Sequence, residues 1–237
     1  MVTSTPRSRL LRLRYRLNRR ARERLIAEAE RIPGWRLREE AVELVRLSFM
    51  LPAHAAIVEV GAFLGSGTVL LAGACKLRGS GRVHCIDPFD ASGDSFSAPI
   101  YRAIADNEDR SLRDRFDENI GRLGVSKWVS VHKGTSETVG SRWNEPIDLL
   151  LLDGDHSPEG ARAPFLRWTP FLKVGGIVAL TNSSDRAYDE GHDGHRRIVV
   201  ERLRPPEFSE IQCVGTTTFA RRAAASPRRS GGCPAGC

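Results

Sequence analysis

The sequence contains no apolar run near the roughly 20 residues that a membrane-spanning helix needs. Its basic amino-terminal segment lacks the apolar core of a secretory signal. The five cysteines, Cys75, Cys85, Cys213, Cys233 and Cys237, form no CxxC pair and no zinc-binding spacing, and their number is odd. The glycine cluster near residue 65 fits neither G-x-G-x-x-G nor the phosphate loop G-x-x-x-x-G-K-[ST]. A reduced, cytoplasmic protein is the expectation, without a disulfide framework and without a standard dinucleotide loop.

What is present begins with a core. With 41% hydrophobic residues in 237, the chain suits one domain plus tails. The net charge of +7 is unevenly spread. Residues 1–24 hold nine Arg and one Glu, a net of +8, and residues 221–237 hold four Arg, a net of +4. The body, 25–220, is therefore 7 − 8 − 4 = −5. An acidic body weighs against nucleic acid as the partner, because nucleic-acid enzymes carry a basic face on the fold. In the basic arm, Leu10, Leu13 and Leu17 fall on one side of a helix. The favoured expectation is packing on the protein's own domain or on a second subunit, as in a homo-oligomer. A membrane surface is the alternative.

Pro33-Gly34 breaks the chain. Next, 35–51 places Leu37, Ala41, Leu44, Val45 and Ser48 on one helical face. From Ala56 onward, strand patterns ("AIVEV", "RVHCID", "KWVSVHKG", "IDLLLL", "GGIVALT") alternate with helical ones, and "FSEIQCVGTTTFARR" reads as a closing hairpin. Residues 88–110 read as an irregular excursion, and Pro164 should kink or shorten the helix after strand 4. The expected fold is α/β: a mostly parallel seven-stranded sheet, helices on both faces, and an antiparallel carboxyl-terminal hairpin. The expected organisation is an Arg-rich arm at 1–33, one domain at 34–221 and a disordered tail at 222–237.

In such sheets ligands sit beyond the carboxyl ends of the strands, which singles out 59–68, 87–90, 132–137, 153–156 and 181–185. "VEVGAFLGSGT" ends strand 1 with Glu59 and follows it with Gly61, Gly65 and Gly67 before a helix. Its glycines permit positive φ and close approach, and the helix start favours an anionic group. Glu59 suits a cationic or hydrogen-bond-donating group nearby. Asp87 ends strand 2, where an acid can accept ribose hydroxyls. Strand 4 runs into Asp153, Gly154, Asp155 and His156.

Together "VEVGAFLGSGT", "IDPF", "HKGTSE", "LLLLDGDHSPEG" and "FLKVGGIVAL" resemble the Rossmann-like class I S-adenosylmethionine (SAM)-dependent methyltransferases. More narrowly they resemble small O-methyltransferases of natural-product pathways whose fourth strand ends in D-G-D-H-S. The resemblance spans roughly residues 34–221. It implies that Glu59, Gly61, Phe63, Gly65, Gly67 and Thr68 hold the methionine part of SAM and that Asp87 takes the ribose. Gly134, Thr135 and Ser136 would lie along the adenine. Asp153 would sit beside the sulfonium and, in metal-dependent relatives, bind Mg²⁺, while His156 would be the general base. A sulfonium methyl is already activated, so the enzyme must chiefly align an oxygen and remove its proton. An imidazole, with an ordinary pKa of about 6.5, suits that task.

One departure bears on the metal. Relatives that use Mg²⁺ carry an acidic or amide pair after strand 5, where this chain has Thr181 and Asn182. A site of Asp153 and Asn182 is weak in charge, so metal independence is the favoured expectation. Asp155 reads equally as a site residue or a helix cap. The polar segment 182–195, with His192 and His195, is expected to rim the acceptor pocket as a solvated loop rather than to bind metal. Phe96, Ile100 and Tyr101 suit a lid. The leading function is SAM-dependent O-methylation of a small-molecule hydroxyl, on a sugar or glycosylated natural product. The alternatives are a macromolecule (RNA) methyltransferase docking through its arginines, a SAM-binding protein without catalysis and, more distantly, a nicotinamide oxidoreductase.

Overall fold

The computed structural model describes residues 6–224, with side chains from residue 9 onward. The arm's first five residues and most of the expected tail, with Cys233 and Cys237, lie outside the described residues.

Five parallel strands and an antiparallel pair form one sheet in the order β3-β2-β1-β4-β5-β7-β6. They are β1 (Ala56–Val60), β2 (Arg82–Asp87), β3 (Val129–Lys133), β4 (Ile147–Leu152), β5 (Leu172–Leu180), β6 (Phe208–Val214) and β7 (Thr217–Arg222). The expected fold is the one observed. β4 is buried along its whole length because helices cover both faces, which is why its sequence is nearly all leucine. One face belongs to a core with Leu44, Leu71 and Phe116, and the other to a core with Phe165, Trp168 and Phe208.

Nine helices are described: α1 (Pro6–Leu17), α2 (Arg19–Ala29), α3 (Arg38–Met50), α4 (Ser66–Arg78), α5 (Ser97–Asp106), α6 (Leu112–Arg122), α7 (Ser136–Gly140), α8 (Pro158–Trp168) and α9 (Gly194–Arg202). α2 delivers Ile26 and Ala29 to the first core, and Leu25 lies against Gly73 of α4, where a Cβ would fall 2.4 Å from it.

Four expectations are corrected. The excursion at 88–110 contains α5. Leu37 precedes α3 instead of facing the core; the buried Glu40 accepts its N–H at 3.0 Å and so satisfies a donor at the helix start. Pro164 does not shorten α8: burial of Ala161, Phe165 and Trp168 outweighs the one backbone bond that proline removes. Leu10, Leu13 and Leu17 do not pack on the domain but stand 59%, 53% and 75% exposed, while Leu11 and Tyr15, a third of a turn round the helix, face the core. No helix among the described residues is long and apolar enough to cross a membrane.

Candidate functional site

The chain leaves β1 for β2 and β3 on one side and returns to β4 and β5 on the other, so a crevice opens between the carboxyl ends of β1 and β4. Backbone bonds continue the ladder past the strands and fix the loops. Gly61 N–H donates to Ile86 O (2.9 Å), Asp153 N–H to Val60 O (2.9 Å), Thr181 N–H to Leu152 O (3.2 Å) and Gly134 N–H to Asp87 O (3.1 Å). Gly61 has φ +88°, and a Cβ there would fall 2.5 Å from Asp153 O. Only glycine lets these two loops meet.

A cavity of about 400 Å³ lies over this crevice. At one end are Glu59, Gly61, Gly67, Arg36 and Asp153. Glu59 is fully buried. Its Oε2 accepts the Thr68 hydroxyl at 2.5 Å and Oε1 has no partner. Burial raises its pKa to about 7, against the pull of Thr68 and the Arg36 guanidinium. Thr68 thus orients Glu59 from behind, itself buried. Arg36 Nη2 ion-pairs with the Asp153 carboxylate, while Arg36 Nε and Nη1 are buried and unpartnered. Trp35, Phe63 and Tyr101 stack loosely beside this end, ring centroids 4.9 to 6.1 Å apart.

At the other end are His156, His192, Thr181 and Asn182. Behind them Asp94, on the loop before α5, gathers both histidines. Its Oδ1 accepts from His192 Nδ1 (3.1 Å) and from the N–H groups of Phe96 (3.0 Å) and Ser97 (2.9 Å). Its Oδ2 accepts the His156 N–H (3.2 Å) and faces His156 Nδ1 at 3.7 Å. Burial alone would push the Asp94 pKa up, but bonds from His156, His192 and the backbone outweigh it and hold the carboxyl well below the usual range. An ionised carboxylate opposite both Nδ1 atoms favours a proton on each, which leaves both Nε2 atoms as acceptors. Asn182 Nδ2 lies 3.3 Å from His156 Nε2 and 3.4 Å from His192 Nε2, and Thr181 Oγ1 lies 3.2 Å from His156 Nε2. His195 Nδ1 bonds to Thr181 O at 2.8 Å, and burial lowers its pKa well below the ordinary value.

Segment 182–195 is therefore solvated only in part: residues 185–187, Asp189 and Glu190 are exposed, and its two ends are not. Asn182, Tyr188 and His192 line the cavity as expected of a rim, but Ser183, Ser184, His192 and His195 are buried and bonded. Among the described residues, Asp94, His156 and His192 are the one group of three such side chains close enough to share a metal ion. The Asp94 oxygens already face five donors, however, and two imidazoles do not suit magnesium, which prefers oxygen. Asp153 is paired with Arg36, and Asn182 turns its nitrogen toward the histidines. The donor set does not fit Mg²⁺.

The remaining residues of the expected site, Phe63 apart, lie outside the cavity. Asp87 is beyond the cavity. Its Oδ2 accepts the N–H groups of Ala62 and Phe63, each at 2.8 Å, and Oδ1 that of Phe89 at 2.7 Å. Burial raises its pKa against those three bonds. Phe63, at φ +46°, lines the cavity, whereas Gly65 is the left-handed residue opening α4. Thr135 caps α7, and Ser136 Oγ accepts the Trp168 indole N–H at 2.9 Å; with Gly134 they border the end of β2 outside the cavity. Asp155 Oδ1 accepts the Ser157 N–H at 2.7 Å in the turn ahead of α8, and Ser157 caps the helix, its hydroxyl accepting the Gly160 N–H at 3.0 Å. Arg36 and Asp94 are the residues that sequence reasoning missed. The turn residues of "SGDSF" were the one local signal that could have found Asp94, as an acceptor for a helix start, and they say nothing of its histidines.

The family model described as a methyltransferase domain matches residues 58–183, more than half of the chain. The chain belongs to that family. The methyltransferase also resembles solved structures at the level of the fold. One is the O-methyltransferase TomG from Streptomyces achromogenes, involved in tomaymycin synthesis and solved with SAM: 20% identity, 86% of this chain and 90% of that one, TM-score 0.58. The O-methyltransferase NovP matches at 13% identity over 78% and 80%, TM-score 0.60. An rRNA methylase from Streptococcus thermophilus matches at 15% over 81% and 100%, TM-score 0.55. At these identities the likeness concerns the fold of the methyltransferase and leaves its acceptor open.

Proposed function

We propose that this methyltransferase uses SAM to methylate a hydroxyl oxygen of a small molecule, such as a sugar or a glycosylated natural product. The observation that carries the reading is one cavity with two ends: a charged cradle of Glu59, Asp153 and Arg36, and a buried imidazole, His156, whose Nε2 faces Thr181 and Asn182, partners that an acceptor hydroxyl would replace. The orphaned Glu59 Oε1 fits an ammonium, and the glycine at 67 keeps that oxygen open, since a Cβ would fall 2.2 Å from it. Bound SAM supplies an activated methyl group on a sulfonium. His156 takes the acceptor's proton at Nε2, Asp94 accepts its backbone N–H and sets a carboxylate 3.7 Å from Nδ1, and Asn182 and Thr181 line the Nε2 edge. The aromatic group of Trp35, Phe63 and Tyr101 limits access of water to the cradle. Magnesium has no part in this account.

Calorimetric titration with SAM and S-adenosylhomocysteine, followed by an acceptor screen with and without EDTA, tests the proposal. Both nucleosides should bind. His156→Ala should keep that affinity within about twofold and lose on the order of 100-fold or more in kcat. Folded protein that binds neither nucleoside would refute the cofactor, and an active His156→Ala would remove the base. A macromolecular acceptor is favoured by one observation only, the exposed leucines of α1 set among arginines. It predicts RNA binding that weakens steeply with salt.

A further inference from the structure

Arg36 is buried where a methyltransferase of this layout needs acids. Glu59 and Asp153 both line the inner end of the cavity, and both face a guanidinium whose side chain is only 8% exposed. One of its nitrogens, Nη2, pairs with Asp153; Nε and Nη1 have no acceptor. A buried guanidinium with two unpaired nitrogens is costly unless a ligand completes it. The arrangement is tight: a Cβ on Gly67 would fall 2.2 Å from Glu59 Oε1 and 3.1 Å from Arg36 Nη2.

Charge identifies the missing group. The cofactor's methionine end carries an ammonium, a sulfonium and a carboxylate. Glu59 and Asp153 suit the two cations but would repel the carboxylate. Without Arg36 the cradle would carry two negative charges when both acids are ionised, and with it one. Against the single net positive charge of the methionine end, the sum is then zero. Beside it α4 opens at Ser66 with no side-chain cap, so its first N–H groups also favour an anion.

Resting on the cofactor reading above, we infer that Arg36 is the receptor for the α-carboxylate of SAM and of S-adenosylhomocysteine. Arg36 keeps Asp153 on Nη2 and offers the carboxylate one of its two unpartnered nitrogens, Nε or Nη1, which flank Nη2 on either side, so that one side chain ties the cofactor's tail to the strand 4 loop. The ammonium goes to Glu59 Oε1. Arg36 therefore positions the cofactor and selects for an amino-acid tail rather than a bare amine.

The test is a ligand-by-variant cycle. Wild type, Arg36→Gln and Arg36→Lys are titrated with S-adenosylhomocysteine and with 5′-(3-aminopropylthio)-5′-deoxyadenosine, the same molecule without its carboxylate. Melting curves of each variant establish that it is folded. Arg36→Gln should weaken the homocysteine nucleoside by about 10- to 100-fold and the decarboxylated one by no more than about threefold. Arg36→Lys keeps the charge with fewer donors and should fall between for the first ligand only. Equal losses for both ligands would overturn the inference, leaving Arg36 as a counter-charge for the two acids. Unchanged or tighter binding of S-adenosylhomocysteine to Arg36→Gln would also overturn it. A wild type that binds neither ligand fails earlier, at the cofactor reading, and takes this inference with it.

Discussion

Replacing Glu59 with glutamine should make the protein more stable and a poorer binder of its cofactor. Burial raises the Glu59 pKa from 4.5 to about 7. The folded state thus holds a proton that the unfolded chain has already released between those values. With a folded pKa above the unfolded one, a carboxylate costs stability as pH rises through the window from about 4.5 to about 7, and the cost is constant above it. At about 1.4 kcal/mol per unit, keeping Glu59 ionised in the fold costs about 3 kcal/mol at the upper end. Glutamine does not titrate and still accepts from Thr68. The stability difference between Glu59→Gln and wild type should therefore widen by about 2 to 3 kcal/mol between roughly pH 5 and roughly pH 8. Urea denaturation at the two pH values measures it. The same carboxylate must ionise to hold an ammonium. Binding of S-adenosylhomocysteine near pH 6.5 should release a substantial fraction of a proton, which calorimetry in buffers of different ionisation enthalpy reads, and the release should vanish in the variant. A constant stability difference at both pH values would refute the burial argument, and proton release unaffected by Glu59→Gln would refute the ammonium contact.

The legible parts of this molecule were those whose cause is local. β1 and β4 are recognisable because strands covered on both faces must be apolar throughout. Gly61 and Gly65 are recognisable because a left-handed backbone at the crevice calls for glycine. The missed parts are set by contacts between distant residues. Arg36 and Asp153 lie 117 positions apart, and Asp94 and His156 lie 62 apart. Nothing near Arg36 marks it as other than one more arginine beside a basic arm. Segment 182–195 has a loop's composition, and what ties its buried histidines in place is the bond from His192 to Asp94 and that from His195 to Thr181 O. Leucine spacing in α1 predicted one apolar stripe correctly as a pattern, but spacing alone cannot say which side has a neighbour. The neighbour lies beside Leu11 and Tyr15. α5 escaped notice although Ala98, Tyr101, Ile104 and Ala105 form a 3.6-residue stripe against the core, because the stripe is short and flanked on both sides by polar loop sequence.

Two substitutions probe the frame and the base. Gly61→Ala puts a Cβ 2.5 Å from Asp153 O at φ +88°, and should lower stability by at least about 2 kcal/mol in urea denaturation; a wild-type midpoint would show that the two loops part freely. Asp94→Asn tests the histidine pair. The carboxylate accepts from both sides at once, and an amide has one carbonyl oxygen and one nitrogen that donates. Whichever way the amide turns, its NH₂ faces donors: His192 Nδ1, Phe96 N–H and Ser97 N–H on one side, His156 on the other. With the charge gone, the Nδ1 proton of His156 loses its reason to stay, and the ring can present Nε2–H toward Thr181 instead of a lone pair. A base in the wrong tautomer should cost on the order of 100- to 10,000-fold in kcat. The affinity for S-adenosylhomocysteine should hold, because the cradle at Glu59 and Arg36 is at the other end of the cavity. If Asp94 served only to start α5, the variant would melt earlier and turn over at the wild-type rate, and the tautomer argument would fall.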